Sequence, residues 1–219
     1  MYLSRLELLP EAAQKPEFWA DLGDLYREHQ AIWQLFGDTP ERTRDFLFRK
    51  ERGGLESRWF TLSKRKPIDV RGIWKVEPKQ FEPRFEAGQH LFFAVRVNPT
   101  VAKTREGRSS ARHDVVMNEK RRVPGGTGSI SESALVEKAC TAWFQARSTR
   151  NGFDFDPGQV RFDGYRQVGD AKSGGIRLST VDIEGFLTVK EPERFQRMLF
   201  GGLGPAKSFG CGLMLVRPA

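Results

Sequence analysis

Tyr26 and His29 stand three residues apart in the run Leu25-Tyr-Arg-Glu-His-Gln. On a helix that spacing puts both side chains on one face. Histidine is scarce: the chain has three, His29, His90 and His113. Few groups are therefore available for proton transfer near neutral pH. A phenol, an imidazole and nearby cations suit metal-free cleavage of a ribonucleotide backbone. A base or orienting group helps a 2′-OH attack the adjacent phosphorus. An acid protonates the departing 5′ oxygen, and cations or amides hold the charge on the phosphoryl oxygens. One well-placed acid–base group contributes about 10²–10⁴-fold. The same residues have a plain structural reading. Leu22, Leu25, His29, Ile32 and Phe36 step by three and four, so His29 also fits the buried stripe of an amphipathic helix. Tyr26 fits a half-buried core tyrosine. His90, at a strand start, reads as structural. His113 reads as a phosphate contact or a solvated group.

Phosphate-binding groups are concentrated in three places. From Arg96 to Arg122 there are eight bases (Arg96, Lys103, Arg105, Arg108, Arg112, Lys120, Arg121, Arg122) against three acids (Glu106, Asp114, Glu119), a surplus of five. Cations this dense neutralise phosphates, or else they form a solvated loop. Gly169 to Arg177 reads as a hairpin tip with Gly174-Gly175 as its turn, placing Lys172 and Arg177 beside a backbone. The C-terminal run Gly201-Gly-Leu-Gly-Pro-Ala-Lys-Ser-Phe-Gly-Cys-Gly-Leu213 offers exposed amides and Lys207. It nearly fits a Walker A loop, but Ala206 stands where that motif needs glycine. It also follows a helix where that motif needs a strand, so nucleotide hydrolysis is rejected. Asp154-Phe-Asp156 reads as a turn into Pro157-Gly158, and no metal-ligand pattern is expected. No cofactor is expected either.

These groups are positioned by two segments of similar grammar. In the first, Tyr2 to Leu9 is a strand and a Pro- and acid-rich loop follows. A helix is predicted from about Asp24 to Phe36, stopped by Gly37. Strands at Arg44 to Lys50 and Ser57 to Leu62 turn at Gly53-Gly54, and Ile73 to Val76 closes the sheet. In the second, Leu91-Phe-Phe-Ala-Val-Arg-Val97 is a central strand. The stretch 98–128 is a long basic segment. Ser129-Ile-Ser-Glu132 has capping-box spacing. Leu135, Val136, Ala139, Cys140, Trp143 and Phe144 then recur as one helical stripe. Strands at Val160 to Val168, Ile176 to Val189 and Gly212 to Val216 surround a short helix at Glu191 to Phe200. The order predicts an α+β fold of tandem ferredoxin-like (RRM-like) βαββαβ domains, residues 1–88 and 89–219.

Composition narrows the class. Lys plus Arg is 36 against 28 for Asp plus Glu, a net charge of +8 that favours a polyanionic partner such as nucleic acid or an acidic membrane surface. Cys140 and Cys211 sit in no CxxC or Cys/His array, so free thiols are expected and a zinc site is not. No signal peptide or membrane span is apparent, and a cytoplasmic location is expected.

Gly202 to Leu213 resembles the glycine-rich loop of the repeat-associated RNA-binding proteins of CRISPR systems. Further blocks resemble one branch, the CasE family of the type I-E Cascade complex. They are Met1-Tyr-Leu-Ser-Arg5, Leu25-Tyr26 through His29 with Trp33-Gln-Leu-Phe36, Arg44 through Arg49, Arg96-Val-Asn-Pro-Thr100, and Gly174 through Gly185. They run from end to end in family order. The stretch Arg108 to Gly128 is longer and more basic than the family pattern. The resemblance implies two ferredoxin-like domains and a metal-independent endoribonuclease. Such a protein cuts precursor CRISPR RNA just 3′ of the repeat hairpin and leaves 5′-hydroxyl and 2′,3′-cyclic phosphate ends. It then stays on that hairpin with the other Cascade subunits. It implies His29 as the acid–base residue and Tyr26 as its orienting or activating partner. It also implies RNA contacts from Lys103, Arg105, Arg108, Arg112, Lys172, Arg177 and Lys207, and a loop built on Gly202, Gly204, Gly210 and Gly212. A basic surface reading shape and phosphates suits A-form RNA, whose major groove hides its base edges. Two other readings compete. One is a non-catalytic RNA-binding subunit of such a complex, with His29 structural. The other is a tandem RRM-like binder of single strands, for which no RNP1 string is found.

Overall fold

A computed structural model describes residues 1–15, 25–37, 44–53, 56–105, 108–122, 131–169 and 178–219. Side chains at 52, 53, 56, 103–105 and 108–111 lie outside the description. The elements in order are β1 (Tyr2–Leu8), α1 (Pro10–Ala13), α2 (Leu25–Trp33), β2 (Phe46–Gly53), β3 (Glu56–Ser63) and β4 (Trp74–Gln80). They continue with β5 (His90–Val97), β6 (Thr100–Arg105), β7 (Arg108–Asp114), α3 (Val115–Lys120), α4 (Glu132–Ser148) and β8 (Phe153–Asp154). The last are β9 (Val160–Val168), β10 (Leu178–Val189), α5 (Pro192–Gly201) and β11 (Met214–Pro218).

The first sheet runs β2-β3-β1-β4 and the second β11-β5-β10-β8, with β9 also on β10, all antiparallel. Numbering β1 to β4 in the first sheet, and β5, β9, β10 and β11 in the five-stranded second, as one to four in chain order, both have the order 4-1-3-2. That is the ferredoxin-like strand order, twice, although residues 64–73 between β3 and β4 hold no helix where the expected βαββαβ pattern puts its second. β5 is central, as its apolar run predicts: Leu91, Phe93, Val95 and Val97 point into the core. All six predicted stripe residues of α4 are buried.

Four expectations are corrected. Pro10–Ala13 is a helical turn where a loop was expected, because Pro at the first helical position is pre-set for it. The cap of α4 is Ser131, whose Oγ accepts from Ala134 N; Ser129 lies outside the described residues. The basic segment after Pro99 holds a β-hairpin and a helix. Register Thr100↔Asp114 to Arg105↔Arg108 pairs β6 with β7, and Asp114 then caps α3 by accepting from Val116 N and Met117 N. Finally, Arg96 does not belong with the basic surface. It points between the two sheets and holds Asp182 through two hydrogen bonds of 2.9 and 2.8 Å.

The halves meet at Leu47, Leu62 and Leu213, with Leu3, Phe200 and Leu215 around them. Beside that seam Arg96 Nη1 donates to the Lys50 carbonyl at 3.3 Å. Cys140 and Cys211 are buried free thiols, and burial pushes each up to about 12. Among the described residues no helix is long and apolar enough to cross a membrane.

Candidate active site and RNA groove

α2 is amphipathic, and its placement is set by a buried carboxylate beside Ile32. Glu28, 6% exposed, accepts from Trp59 Nε1 at 2.9 Å and pairs with Lys50 Nζ at 3.3 Å. Lys50 also lies over the Trp59 ring. A buried charge is tolerated when paired and hydrogen-bonded in this way. The next residue is His29. Its ring meets Trp33 edge-on at 5.4 Å and stacks loosely with Phe46 and Phe48 at 6.1 and 6.2 Å. His29 is half-buried, and Nδ1 is sealed from solvent with no hydrogen-bond partner among the described residues. Burial, and then the Arg44 charge, hold its pKa below the ordinary histidine value. Tyr26, one turn earlier, is exposed. It is a surface residue, so the core-tyrosine alternative does not hold.

The glycine loop from the far end of the chain comes to this helix. A short 3-10 turn, Lys207–Phe209, packs on α2 and β2. Arg44 Nη1 donates to Ser208 Oγ at 2.9 Å. Arg44 lowers the pKa of Lys207, after burial, as it does that of His29. Gathering these groups costs repulsion that a phosphate would relieve. The loop's shape needs its glycines most sharply at Gly212 (φ +90), where a Cβ would stand 2.8 Å from the Leu203 carbonyl. Gly202, Gly204 and Gly210 also have positive φ. Ala206 is the one non-glycine residue described with positive φ (61°), a conformation costing about 1–2 kcal/mol. Its strain fixes the turn that presents Lys207 and Ser208.

Arg44, Lys207 and Ser208 of this cluster line a groove of about 1170 Å³ whose other walls come from the second half, Arg112, Gln167, Ser179 and Phe209 among them. Thus Arg112 and Lys207, far apart in sequence, share one wall system. Lys103, Arg105 and Arg108 lie on the β6–β7 hairpin that leads away from Arg112, though their side chains are outside the description. Lys172 and Arg177 lie outside the described residues. The strands that bracket them pair at Val168↔Leu178.

Other expected residues have structural duties. Lys120 pairs with Glu132, and Glu119 with Lys138 and Arg122, which ties α3 to α4. His113 is half-buried, with Nε2 lacking a partner among the described residues. His90 is exposed and meets Thr188 Oγ1 at 3.2 Å. Asp156 accepts from Gly158 N, as its turn reading requires. Among the described residues no cluster could hold a metal. The sequence reading missed Arg44 and Glu28 as site residues. Arg44 stands out in the sequence only as the start of a strand-like block, because nothing in its spacing relates it to Lys207. Glu28 looks like an ordinary helix-surface acid.

A family model described as a CRISPR associated protein matches residues 1–218. The CRISPR system Cascade subunit CasE of Escherichia coli K12 is 32% identical over 198 residues, covering 89% of this chain and 92% of that protein. The CRISPR-associated endoribonuclease Cse3 of Thermus thermophilus is 28% identical, covering 100% of both chains. The crystal structure of Cas6e from Escherichia coli K-12 superposes with a TM-score of 0.67 at 26% identity, covering both chains in full. Thermus Cse3 bound to a 19-nucleotide RNA superposes with a TM-score of 0.74 at 24% identity, over 99% of this chain and 98% of that one, a likeness of fold. With a match running almost end to end, this chain belongs to the CRISPR-associated protein family, alongside CasE and Cse3.

Proposed function

We propose that this chain is a metal-independent endoribonuclease that binds the CRISPR repeat hairpin and cuts precursor CRISPR RNA at the 3′ base of the stem. It then stays on its product as a Cascade subunit. The observation that carries the reading is the gathering of Arg44, Lys207 and Ser208 on the wall of a basic groove, with His29 within reach of the Arg44 charge. The relatives support it: one is called an endoribonuclease and another a Cascade subunit.

The step needs only groups of this kind. The 2′-oxygen attacks the adjacent phosphorus, a P–O2′ bond forms and the P–O5′ bond breaks. The 2′ proton passes to a base, and the departing 5′ oxygen takes a proton from an acid. His29, held largely neutral by burial, is poised to accept the proton, and Nε2 is its nitrogen for that task because Nδ1 is sealed. Tyr26 orients the reacting groups. Arg44 and Lys207 hold the phosphoryl charge, joined by amides of the loop of Gly202, Gly204, Gly210 and Gly212. Arg112, Lys103, Arg105, Arg108, Lys172 and Arg177 bind the stem backbone. Residues 1–88 and 89–219 act as the two domains, and the two buried free thiols support a cytoplasmic location.

The burial of His29 among aromatic rings favours a second reading, a non-catalytic RNA-binding subunit. Cleavage of a labelled repeat hairpin in EDTA decides. Wild type should cut and leave a cyclic phosphate, while His29→Ala should bind normally and lose about 10²-fold or more in rate. Equal cutting by both removes His29 from the mechanism. Binding without cutting by both favours the second reading.

A further inference from the structure

On the other side of Lys207 lies a second cavity, of about 350 Å³. Its wall includes Arg150 just after α4, Asn151, Arg194 and Arg197 on α5, and Gly202 and Lys207 from the loop. Four cations converge there from three chain segments, and the three arginines are exposed. Two carboxylates stand near them. Arg194 pairs with Glu191 at 2.8 Å, and Arg197 lies 3.8 Å from Glu193. Both are exposed pairs within one helical turn, which bind weakly and yield readily to phosphate. No described carboxylate pairs with Arg150 or Lys207. The cavity is therefore net positive.

Lys207 lines this cavity and the large groove alike. Its stem crosses the loop close to two glycines. A Cβ on Gly202 would stand 3.2 Å from Lys207 Cε, and one on Gly212 3.4 Å from Cγ. One ammonium thus joins two basic hollows beside His29 and Arg44.

We infer that the hollow of Arg150, Arg194 and Arg197 is a backbone subsite for single-stranded RNA flanking the hairpin, reached across Lys207. The inference rests on the endoribonuclease reading above. A strand cut at the base of a stem continues past the reacting phosphate, and its next phosphates need cations there. Exposed arginines grip phosphates without reading bases, so the subsite tolerates any flank sequence. The 5′ and 3′ flanks share this chemistry, and the experiment separates them.

Binding is measured for three RNAs: the repeat hairpin with minimal ends, the same with a 5′ single-stranded extension, and the same with a 3′ extension. Wild type should bind one extended RNA roughly tenfold more tightly than the minimal hairpin. Its salt slope should be steeper by about 2, from three phosphates at about 0.7 each. The extension that gains identifies the flank. Arg150→Gln/Arg194→Gln/Arg197→Gln should erase the gain and leave the minimal hairpin's Kd within about twofold. The milder pair Arg150→Gln/Arg197→Gln should erase part of it, which guards against misfolding of the triple variant. Equal binding of all three RNAs by wild type, or a gain that survives the triple variant, overturns the subsite alone. Failure of wild type to bind even the minimal hairpin overturns the underlying reading.

Discussion

Beneath the second sheet, α4 and α5 cover a core around Phe93, Phe144, Phe153 and Phe195, each 2% exposed or less. Of the buried polar groups in that half, Asn98 donates to the Ser179 carbonyl and Ser148 to that of Gln145, while Thr180 Oγ1 has no partner among the described residues. Beneath the first sheet, α2 buries Glu28 and half-buries His29. Ser4 Oγ and Thr61 Oγ1 face each other across β1 and β3, buried and without partners among the described residues. The halves share one sheet order and divide the labour. The second half stores stability, as well-packed apolar interiors do. The first half keeps poorly satisfied polar groups near the helix that carries Tyr26 and His29, where such groups persist for function. The second half then sends its glycine loop onto that helix.

The largest test of this division removes a ring from the second core. Phe144→Ala should lower unfolding free energy by about 3–5 kcal/mol in urea denaturation. Per folded molecule, cleavage should stay near wild type at low temperature, since Phe144 touches no site residue described above. A loss under about 1 kcal/mol would break the picture of the second half as the rigid platform.

A smaller effect is expected from the anchor of α2. Glu28→Ala leaves the Trp59 indole N–H without its acceptor and Lys50 without its buried anion. That should cost about 1–3 kcal/mol. Because the helix carries the reacting groups, kcat should also fall by about tenfold while RNA affinity holds, since small misplacement slows chemistry. Glu28→Gln keeps an acceptor for Trp59 and should recover part of both. Full activity in Glu28→Ala would show that the polar anchoring of α2 serves stability alone.

The sequence made one kind of information plain and hid another. Local periodicity was strong in α4, so its buried face followed directly from residue spacing, and the near-continuous apolar run of β5 marked it as a central strand. The 4-1-3-2 order followed from element order. Pairings across the chain left no local trace. Arg44 and Ser208 are 164 positions apart and meet through the fold of both halves. Arg96 looked like one more base in a basic run, yet its place on a central strand turns it to Asp182. The β6–β7 hairpin was obscured because its polar, charged residues lack apolar alternation. Tyr26 and His29 were visible through their i, i+3 spacing. Burial of His29 followed from its stripe, but the Arg44 charge that acts on it did not.

That coupling between distant residues gives the finest test. If His29 accepts the 2′ proton, it must be neutral, so kcat at saturating RNA falls as pH drops through its pKa. Burial is the main cause that holds this pKa down, and Arg44 is the second. Arg44→Gln removes a positive charge, which makes protonation of His29 easier and raises its pKa. The acid limb of the kcat profile should therefore move to higher pH. Bound phosphate raises the pKa in both proteins, so the difference between them survives saturation. Saturating RNA also removes the weaker binding expected from losing a cation. Limbs that both stay in place separate Arg44 from His29. An alkaline limb that moves up while the acid limb stays reverses the assigned role, because a proton donor must be charged and gains range as its pKa rises.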